Sequence, residues 1–553
     1  MSESTIVDFP SFLHEIAAEH QDRVAVDGPT GALTYAELDE RTARLARALL
    51  ASGAGKGTRV AVLAPTGETW LVLCIAAWRI GALVTSISTL STPAELAYVV
   101  RRSDAQLLVG VRRFLSHDYA AELDEALGIE QEGVTVGALY LPSAPYLRSV
   151  FWDDVAGLDW AESLADLASR ADAPTAPGPE ILSAVETEVT SADDAVVIFT
   201  SGSTADPKAV VHTQRTLATK PREVQGIHGR FSVSPDDRVL TLLPTFWVGG
   251  LTSILGPLSC GATLVFSPGP DPESVIDTVV DFDVTRVIGV RPGDTRFHDE
   301  LVRRGLPESP GVRGLTAAWA QPDPTKERPH PESIGWATMG MTEAFGWHSA
   351  EALDSAALAA RPGSVGTAIS GFERRVVDPD TGLDVTPGTA GELWLRGGSL
   401  MSGYYKVERE QVFSRDGYFP TKDRAIIDLD GFAYFLGRLD DMIKTSGANV
   451  SGAEVARALE QLDGVTQAHV VGLNNDGAGQ TVVAAVIRHP GADVTESDLR
   501  TQLRATLSPF KVPRSIVFIE PDDVPVTVTG KVKASSVRDL IEARLAASQR
   551  LGS

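Results

Sequence analysis

Short apolar runs alternate with longer stretches of helical periodicity over most of the chain. RVAVLA at 59–64 is compact enough for a buried strand, and WLVLCIAAWRIGA at 70–82 is apolar on every side, interrupted by Arg79. That interruption and the short length predict a helix buried in a large core rather than a membrane span. Thr92, Pro93 and Glu95 then set up a helix start: a hydroxyl acceptor, a residue that needs no donor, and a carboxylate at the positive end. Further strand candidates are QLLVG at 106–110, AVVIFT at 195–200, RVLTLLP at 238–244, ATLVF at 262–266 and RVIGV at 286–290. Strands alternating with helices predict βαβ units and mostly parallel sheets.

Residues 129–190, rich in Ala, Asp, Glu, Pro and Ser, read as an excursion with loops. From about residue 376 short strands and turns take over in VVDPDTG, GELWLRG and DGFAYFLGR. The stretch 450–553 mixes helices (GAEVARALEQL, SDLRTQLRATL) with strands (AHVVGL, TVVAAVI, SIVFI), a small α+β unit whose junction falls near 437–441.

Composition narrows the class. The 553 residues suffice for two or more domains, and 43% hydrophobic with 22% charged residues excludes disordered or fibrous material. A net charge of −24 argues against an extended nucleic-acid or anionic-membrane surface, while leaving room for a local basic cradle around one nucleotide. The two cysteines, Cys74 and Cys260, lack metal-like spacing and read as buried thiols of a reducing compartment. Residues 1–10 are acidic without an apolar core, so no signal peptide is expected and a cytoplasmic location is.

The most informative segment is Thr200-Ser201-Gly202-Ser203-Thr204-Ala205-Asp206-Pro207-Lys208, directly after AVVIFT. Hydroxyls and amides in a tight turn can surround a phosphate and Lys208 adds a cation, although on composition alone an ordinary turn fits equally well. The segment resembles the phosphate loop, Thr-Ser-Gly-(Ser/Thr)-Thr-Gly-x-Pro-Lys-Gly, of the adenylate-forming superfamily. That family includes acyl-CoA synthetases, peptide-synthetase adenylation domains and firefly-type luciferases. Further segments resemble its motifs in the family's order, so the resemblance spans nearly the whole chain.

In Met339-Gly340-Met341-Thr342-Glu343 the resemblance implies that Thr342 meets the α-phosphate and Glu343 helps hold Mg²⁺, with Gly340 and Met341 beside the nucleotide. In Gly417-Tyr418-Phe419-Pro420-Thr421-Lys422-Asp423, Asp423 matches the acid that accepts both ribose hydroxyls, as an ionised carboxylate can. Gly437-Arg438-Leu439-Asp440-Asp441-Met442-Ile443-Lys444-Thr445-Ser446-Gly447 resembles the hinge and thioester loop. It implies that Arg438 contacts the nucleotide, that Asp440 is the hinge residue, and that Lys444 and Gly447 line the pantetheine tunnel. Thr529-Gly530-Lys531 matches the mobile lysine that bridges the substrate carboxylate and the α-phosphate, a charge-stabilising role. The segment 243–251 resembles the acyl pocket, with Phe246, Trp247, Gly249, Gly250 and Leu251, joined by Trp319, as its candidate lining.

The fold implied is α/β: a large N-terminal domain of βαβ-type sheets with a small β-barrel-like portion (1–437), a hinge (438–441), and a small mobile C-terminal α+β domain (442–553). The implied activity joins a hydrophobic carboxylic acid to coenzyme A through acyl-AMP, using ATP and Mg²⁺. Departures from the family gather on the ATP side. Ala205 and Ala209 stand where glycine is usual, Trp247 where many relatives have histidine, and Met339 in place of the aromatic that stacks on adenine. Ala317-Ala318-Trp319-Ala320-Gln321-Pro322 replaces a small turn, and Lys422 replaces glycine. They point to an enzyme in which adenylation is weak or lost while thioesterification of acyl-AMP, supplied by a separate adenylating enzyme, is retained. The presence of Lys531, Thr342 and Glu343 points the other way. The alternatives are a stand-alone adenylation enzyme that loads a carrier-protein thiol, a luciferase-like oxygenase, and a non-catalytic acyl-adenylate-binding protein.

Overall fold

The computed structural model describes residues 8–137, 139–200, 207–225, 233–289, 296–306, 336–352, 355–439, 442–445, 448–474, 480–507, 511–526, 532 and 534–551. The chain divides into two compact units. One combines Met1–Glu373 with Arg396–Tyr418, the other Arg374–Leu395 with Phe419–Ser553.

The first unit is organised by a sheet in which, among the described residues, eight strands run in the order Gly403–Tyr404, Lys208–Thr213, Asp194–Thr200, Leu83–Ser86, Arg59–Leu63, Leu107–Gly110, Ser149–Trp152 and Glu162–Ser163. From Asp194–Thr200 onward the pairings are parallel, and the first two are antiparallel. The parallel strands are buried along nearly their whole length, which is why they read as continuous apolar runs rather than as alternation. A second sheet places Arg286–Ile288, Arg238–Thr241, Thr263–Val265, Val24–Asp27 and Leu33–Thr34 side by side. The three-stranded antiparallel sheet of Trp336–Met341, Gly346–Ala352 and Thr367–Ala368 completes the unit's main sheets.

The helix Glu68–Arg79 is buried from Trp70 to Arg79, so the all-round apolar pattern does mark a core helix. Its indoles keep their polar atoms satisfied: Trp70 Nε1 donates to Ser86 Oγ at 2.9 Å and Trp78 Nε1 to the Ala195 carbonyl at 3.0 Å. Arg79 ends the helix inside the protein, its side chain 3% exposed. Its guanidinium reaches Glu186 Oε1 at 2.5 Å, Asp39 Oδ1 at 2.6 Å and Thr42 Oγ1 at 3.1 Å, and Glu186 Oε2 lies 2.9 Å from His14 Nε2. The start at Thr92 is a capping box that opens Pro93–Arg102.

Residues 129–190 depart from the expected loops. SVFW forms the parallel strand Ser149–Trp152 against Leu107–Gly110, and the helices Leu164–Ser169 and Pro179–Thr187 follow. Three apolar residues after a serine suffice for a strand once a buried neighbour offers its edge, a tertiary gain that composition does not carry.

The strands Phe372–Val377, Gly391–Gly397, Phe419–Ile427 and Ala433–Arg438, most of whose residues belong to the second unit, order into a four-stranded sheet. C-terminal to it lies a sheet of Val465–Asn474, Gln480–Arg488 and Ser515–Phe518. Six consecutive apolar residues, Val482–Ile487, run through TVVAAVI because both faces of the strand are covered. Val482, Ala484 and Val486 pack with Val455, Leu459, Leu499 and Leu503 of the helices Gly452–Glu460 and Glu496–Thr506. Val483, Ala485 and Ile487 pack with Val537 and Ile541 of the helix Ala534–Leu551, the period-2 geometry of a strand sandwiched between layers. Among the described residues no helix is long and apolar enough to cross a membrane.

Arg79→Ala is expected to destabilise the chain by about 3–5 kcal/mol, because it leaves Glu186 and Asp39 without their buried cation. Urea denaturation followed by tryptophan fluorescence reads this directly, and a loss below about 1 kcal/mol would show that the cluster is a solvated surface group.

Candidate active site

The phosphate-side candidates are carried by two adjacent strands of the large sheet and by a hairpin of the three-stranded sheet. Thr200 ends Asp194–Thr200 and pairs with Lys208, which opens the antiparallel strand Lys208–Thr213. Ser201, Gly202, Ser203, Thr204, Ala205 and Asp206 lie outside the described residues. Gly340 and Met341 close the strand Trp336–Met341, and Thr342 and Glu343 begin a single 3₁₀ turn, Thr342–Ala344. Phe345 follows in the left-handed region at φ 49° and Gly346 opens the returning strand. Gly340 is obligatory here, since a Cβ would stand 2.5 Å from the Gly346 carbonyl oxygen and 2.9 Å from Trp347 Cα.

The turn is pinned from three directions. His212 Nε2 lies 2.7 Å from the Thr342 carbonyl and the Met401 amide donates to the Glu343 carbonyl at 2.8 Å. The Tyr404 hydroxyl donates to Glu343 Oε1, also at 2.8 Å. Tyr404 in turn sits under Lys208, whose Nζ is 5.1 Å from the ring centroid, and its strand pairs with Lys208–Thr213. The fold thus brings Lys208, Thr342 and Glu343 into one neighbourhood. A carbonyl only accepts, so His212 carries its proton on Nε2. Burial pushes His212 down to about 4, and the Lys220 charge adds to the effect, so the imidazole is neutral at physiological pH.

In the candidate acyl segment Phe246 is buried and Trp247 half-buried, their rings 5.3 Å apart and edge to face. Trp247 precedes the helix Val248–Leu258, whose N-terminus has no side-chain cap. Gly249 has room for a methyl group. Gly250 has none, because a Cβ would meet the Pro244 carbonyl oxygen at 2.1 Å. Leu251 packs in the main core. The Thr245 hydroxyl is buried with no protein partner among the described residues. Trp319 lies outside the described residues.

The ribose-side candidates belong to the second unit. Asp423 and Arg438 face each other across Phe419–Ile427 and Ala433–Arg438, with Arg438 Nη1 2.8 Å from Asp423 Oδ1. Arg438 also donates to the Thr421 carbonyl at 3.1 Å, and Thr421 Oγ1 accepts from the Asp423 amide at 3.0 Å. Asp423 is 6% exposed. Lys422, in the family's glycine position, keeps a glycine-like backbone at φ 61°. That conformation is held at both ends. Its amide donates to Glu392 Oε1 at 3.0 Å and its carbonyl accepts from the Leu439 amide at 2.7 Å. The other oxygen of Glu392 takes the Trp394 indole N–H at 2.8 Å. Lys444 pairs with Asn449 in the hairpin Met442–Thr445/Ala448–Ser451, while Asp440, Gly447 and Lys531 lie outside the described residues.

Residues 13–405 match the model of the family described as AMP-binding enzyme, and residues 454–531 match the AMP-binding enzyme C-terminal domain. The chain belongs to the AMP-binding enzyme family. This AMP-binding enzyme is 31% identical over 531 residues to the 3-hydroxybenzoate–CoA/4-hydroxybenzoate–CoA ligase of Thauera aromatica, with 93% of each chain covered. It is 30% identical over 536 residues to the 3-hydroxybenzoate–CoA ligase of Aromatoleum sp. (strain CIB), with 94% of each covered. Its fold is similar to that of the amide bond synthetase McbA from Marinactinospora thermotolerans, at a TM-score of 0.72 and 25% identity, covering 96% of this chain and 99% of that one. It is an enzyme of the acid–thiol ligase class shared by the first two relatives.

One departure from the family changes meaning in the AMP-binding enzyme's structure. Ala209 is an extended residue paired with Phe199 and packed against Leu83, Val197 and Val211. Its φ is not in the left-handed region, so its methyl group strains nothing there. His212, Met401, Tyr404 and Glu392 were missed by sequence reasoning. They act by contacts across 30 to 130 residues of sequence, and only the apolar Ala209, Val210 and Val211 before His212 hinted that its ring would be buried.

Because His212 is held near 4 when folded against about 6.5 when unfolded, the unfolded chain takes up its proton first as pH falls. Its contribution to stability is therefore complete above pH about 6.5 and falls by about 3 kcal/mol on the way to pH about 4. His212→Gln, which can keep the bond to Thr342 without titrating, is expected to flatten this part of the stability–pH curve. Parallel curves for the two proteins in denaturation at stepped pH would contradict the assignment.

Proposed function

We propose that the chain is a cytoplasmic AMP-forming acyl-CoA ligase that activates a hydrophobic carboxylic acid, with aryl acids the first class to try. The observation that carries this reading is the pinned turn, which sets the Thr342 hydroxyl and the Glu343 carboxylate beside the strand headed by Lys208. The aromatic pair Phe246–Trp247 and the hydroxybenzoate–CoA ligase relatives support the substrate class.

In this reading the first unit receives the nucleotide phosphates. Thr342 donates to the α-phosphate and Lys208 offsets its charge. Glu343 fits a hard cation, because Tyr404 occupies Oε1 and, among the described residues, no protein donor reaches Oε2. Among those residues there is no cluster of three or more His, Cys, Asp or Glu side chains suited to a metal, so Glu343 and the nucleotide phosphates together would complete the sparse protein coordination that Mg²⁺ accepts. When bound, Mg²⁺ screens the phosphates and favours departure of pyrophosphate. Asp423 takes the ribose hydroxyls with Arg438 holding its carboxylate in place, and Lys531 bridges the acid carboxylate and the α-phosphate. The carboxylate attacks the α-phosphorus to give acyl-AMP. After the segment 442–553 swings about Asp440, coenzyme A enters along Lys444 and Gly447, its sulfur attacks the acyl carbon, and AMP leaves. Positioning and charge stabilisation account for both steps, with no protein nucleophile.

A second reading has adenylation slow or lost, with a separate enzyme supplying acyl-AMP. It is favoured by the strained lysine backbone next to Asp423, a conformation that costs a non-glycine residue about 1–2 kcal/mol. One experiment separates these and the remaining readings. A panel of aryl and fatty acids with ATP and coenzyme A, run beside synthetic acyl-AMP with coenzyme A, is expected to give the thioester in both arms. Thioester only from acyl-AMP establishes the second reading. Transfer to a phosphopantetheinyl carrier instead of coenzyme A makes the chain a carrier-loading enzyme. Tight acyl-AMP binding without thioester from any thiol would leave a binding protein and end the ligase reading. Glu343→Gln is expected to slow the ATP arm by about a hundredfold or more, in line with loss of a positioned charge at a phosphoryl centre, and to spare the acyl-AMP arm. Equal losses in both arms would remove the cation from its role.

A further inference from the structure

Lys220 lies in the helix Gln214–Gln225 and is fully buried, a state that lysine almost never adopts without a partner. Nothing in the chemistry above uses it. Its Nζ donates to the Trp347 carbonyl at 2.7 Å and stands 4.3 Å from the centroid of the Phe372 ring. The nearest carboxylate, Glu223 Oε2, is 3.9 Å away, too far for a hydrogen bond, and accepts instead from Ser399 Oγ at 3.0 Å. Burial lowers Lys220 to about 8. The ammonium is held by a backbone carbonyl and an aromatic face, with Glu223 close enough to add charge attraction but no hydrogen bond.

What that carbonyl belongs to gives the lysine its meaning. Trp347 pairs directly with Gly340 across the hairpin that carries Thr342 and Glu343, and Gly340 is packed so tightly that it cannot carry a side chain. A shift of Trp347 is thus passed on to the turn. His212 grips the opposite side of the same hairpin through the Thr342 carbonyl. Lys208, His212 and Lys220 all come from one continuous strand–helix segment, Lys208–Thr213 followed by Gln214–Gln225. A charged donor makes a hydrogen bond roughly twice as strong as a neutral one, which suits a contact that must keep a phosphate-facing turn still.

We propose that Lys220 is a positioning residue for nucleotide binding: by holding the Trp347 carbonyl it fixes the hairpin that presents Thr342 and Glu343. This rests on reading that turn as the phosphate site of the proposed ligase.

The test is calorimetric titration of AMP alone into the full chain as wild type, Lys220→Met and Lys220→Gln. Thermal midpoints are measured alongside, together with the KM for coenzyme A in thioester formation from synthetic acyl-AMP. Lys220→Met, similar in size but without a donor, is expected to bind AMP about tenfold or more weakly, the scale of loss expected when a site is displaced by a fraction of an ångström. Lys220→Gln, which keeps a donor one atom short of the carbonyl, is expected to fall between the two. The KM for coenzyme A is expected to stay within about twofold of wild type, since a uniform structural defect would move it as well. Wild-type AMP affinity in either folded variant overturns the proposal, and so does a coenzyme A KM that rises in step with the AMP dissociation constant. Should Lys220→Met fail to fold, the comparison of Lys220→Gln with wild type decides alone. A wild-type chain that does not bind AMP would overturn the nucleotide reading itself, an outcome distinct from wild-type binding that the variants leave unchanged.

Discussion

A turn of three residues cannot hold itself in place. Thr342–Ala344 closes with a single internal hydrogen bond, from the Phe345 amide to the Thr342 carbonyl, and one such bond does not outweigh the conformational freedom of the residues it orders. The turn is fixed because other elements take hold of it: His212 at one carbonyl, the Met401 amide at the next, and Tyr404 at the Glu343 carboxylate. The antiparallel edge of the large sheet supplies two of these three grips, through the neighbouring strands Lys208–Thr213 and Gly403–Tyr404. The parallel core of that sheet packs on the buried helix Glu68–Arg79, whose Arg79 is paired with Asp39 and Glu186.

The same logic recurs in the second unit. Asp423 is reached by a lysine in a left-handed conformation, and that conformation persists because Glu392 and Leu439 take its amide and carbonyl. In each unit a short, intrinsically unfavourable stretch of backbone is thus over-determined by buried partners.

Much of this was legible in the sequence. The strands at 59–64, 106–110 and 195–200 and the capping box at Thr92 rest on local patterns, and the structure places elements there. TVVAAVI carries no alternation because helices cover both its faces. The motif order carried the family. What the sequence hid were features made by contacts between distant segments. SVFW becomes a strand only because Leu107–Gly110 offers an edge. Ala209 looks like a strained substitution until the position proves to be extended. Lys220 belongs to no motif, and its burial follows from Trp347 and Phe372 far along the chain.

The proposed ligase reading stands on the pinned turn Thr342–Ala344 as the seat of a phosphate. The most direct test is a crystal structure of the full chain with a non-hydrolysable acyl-AMP analogue. The expected structure has the phosphate-mimicking group of the analogue hydrogen-bonded to Thr342 Oγ1. An analogue bound elsewhere on the chain, leaving Thr342 Oγ1 without that contact, would rule the reading out.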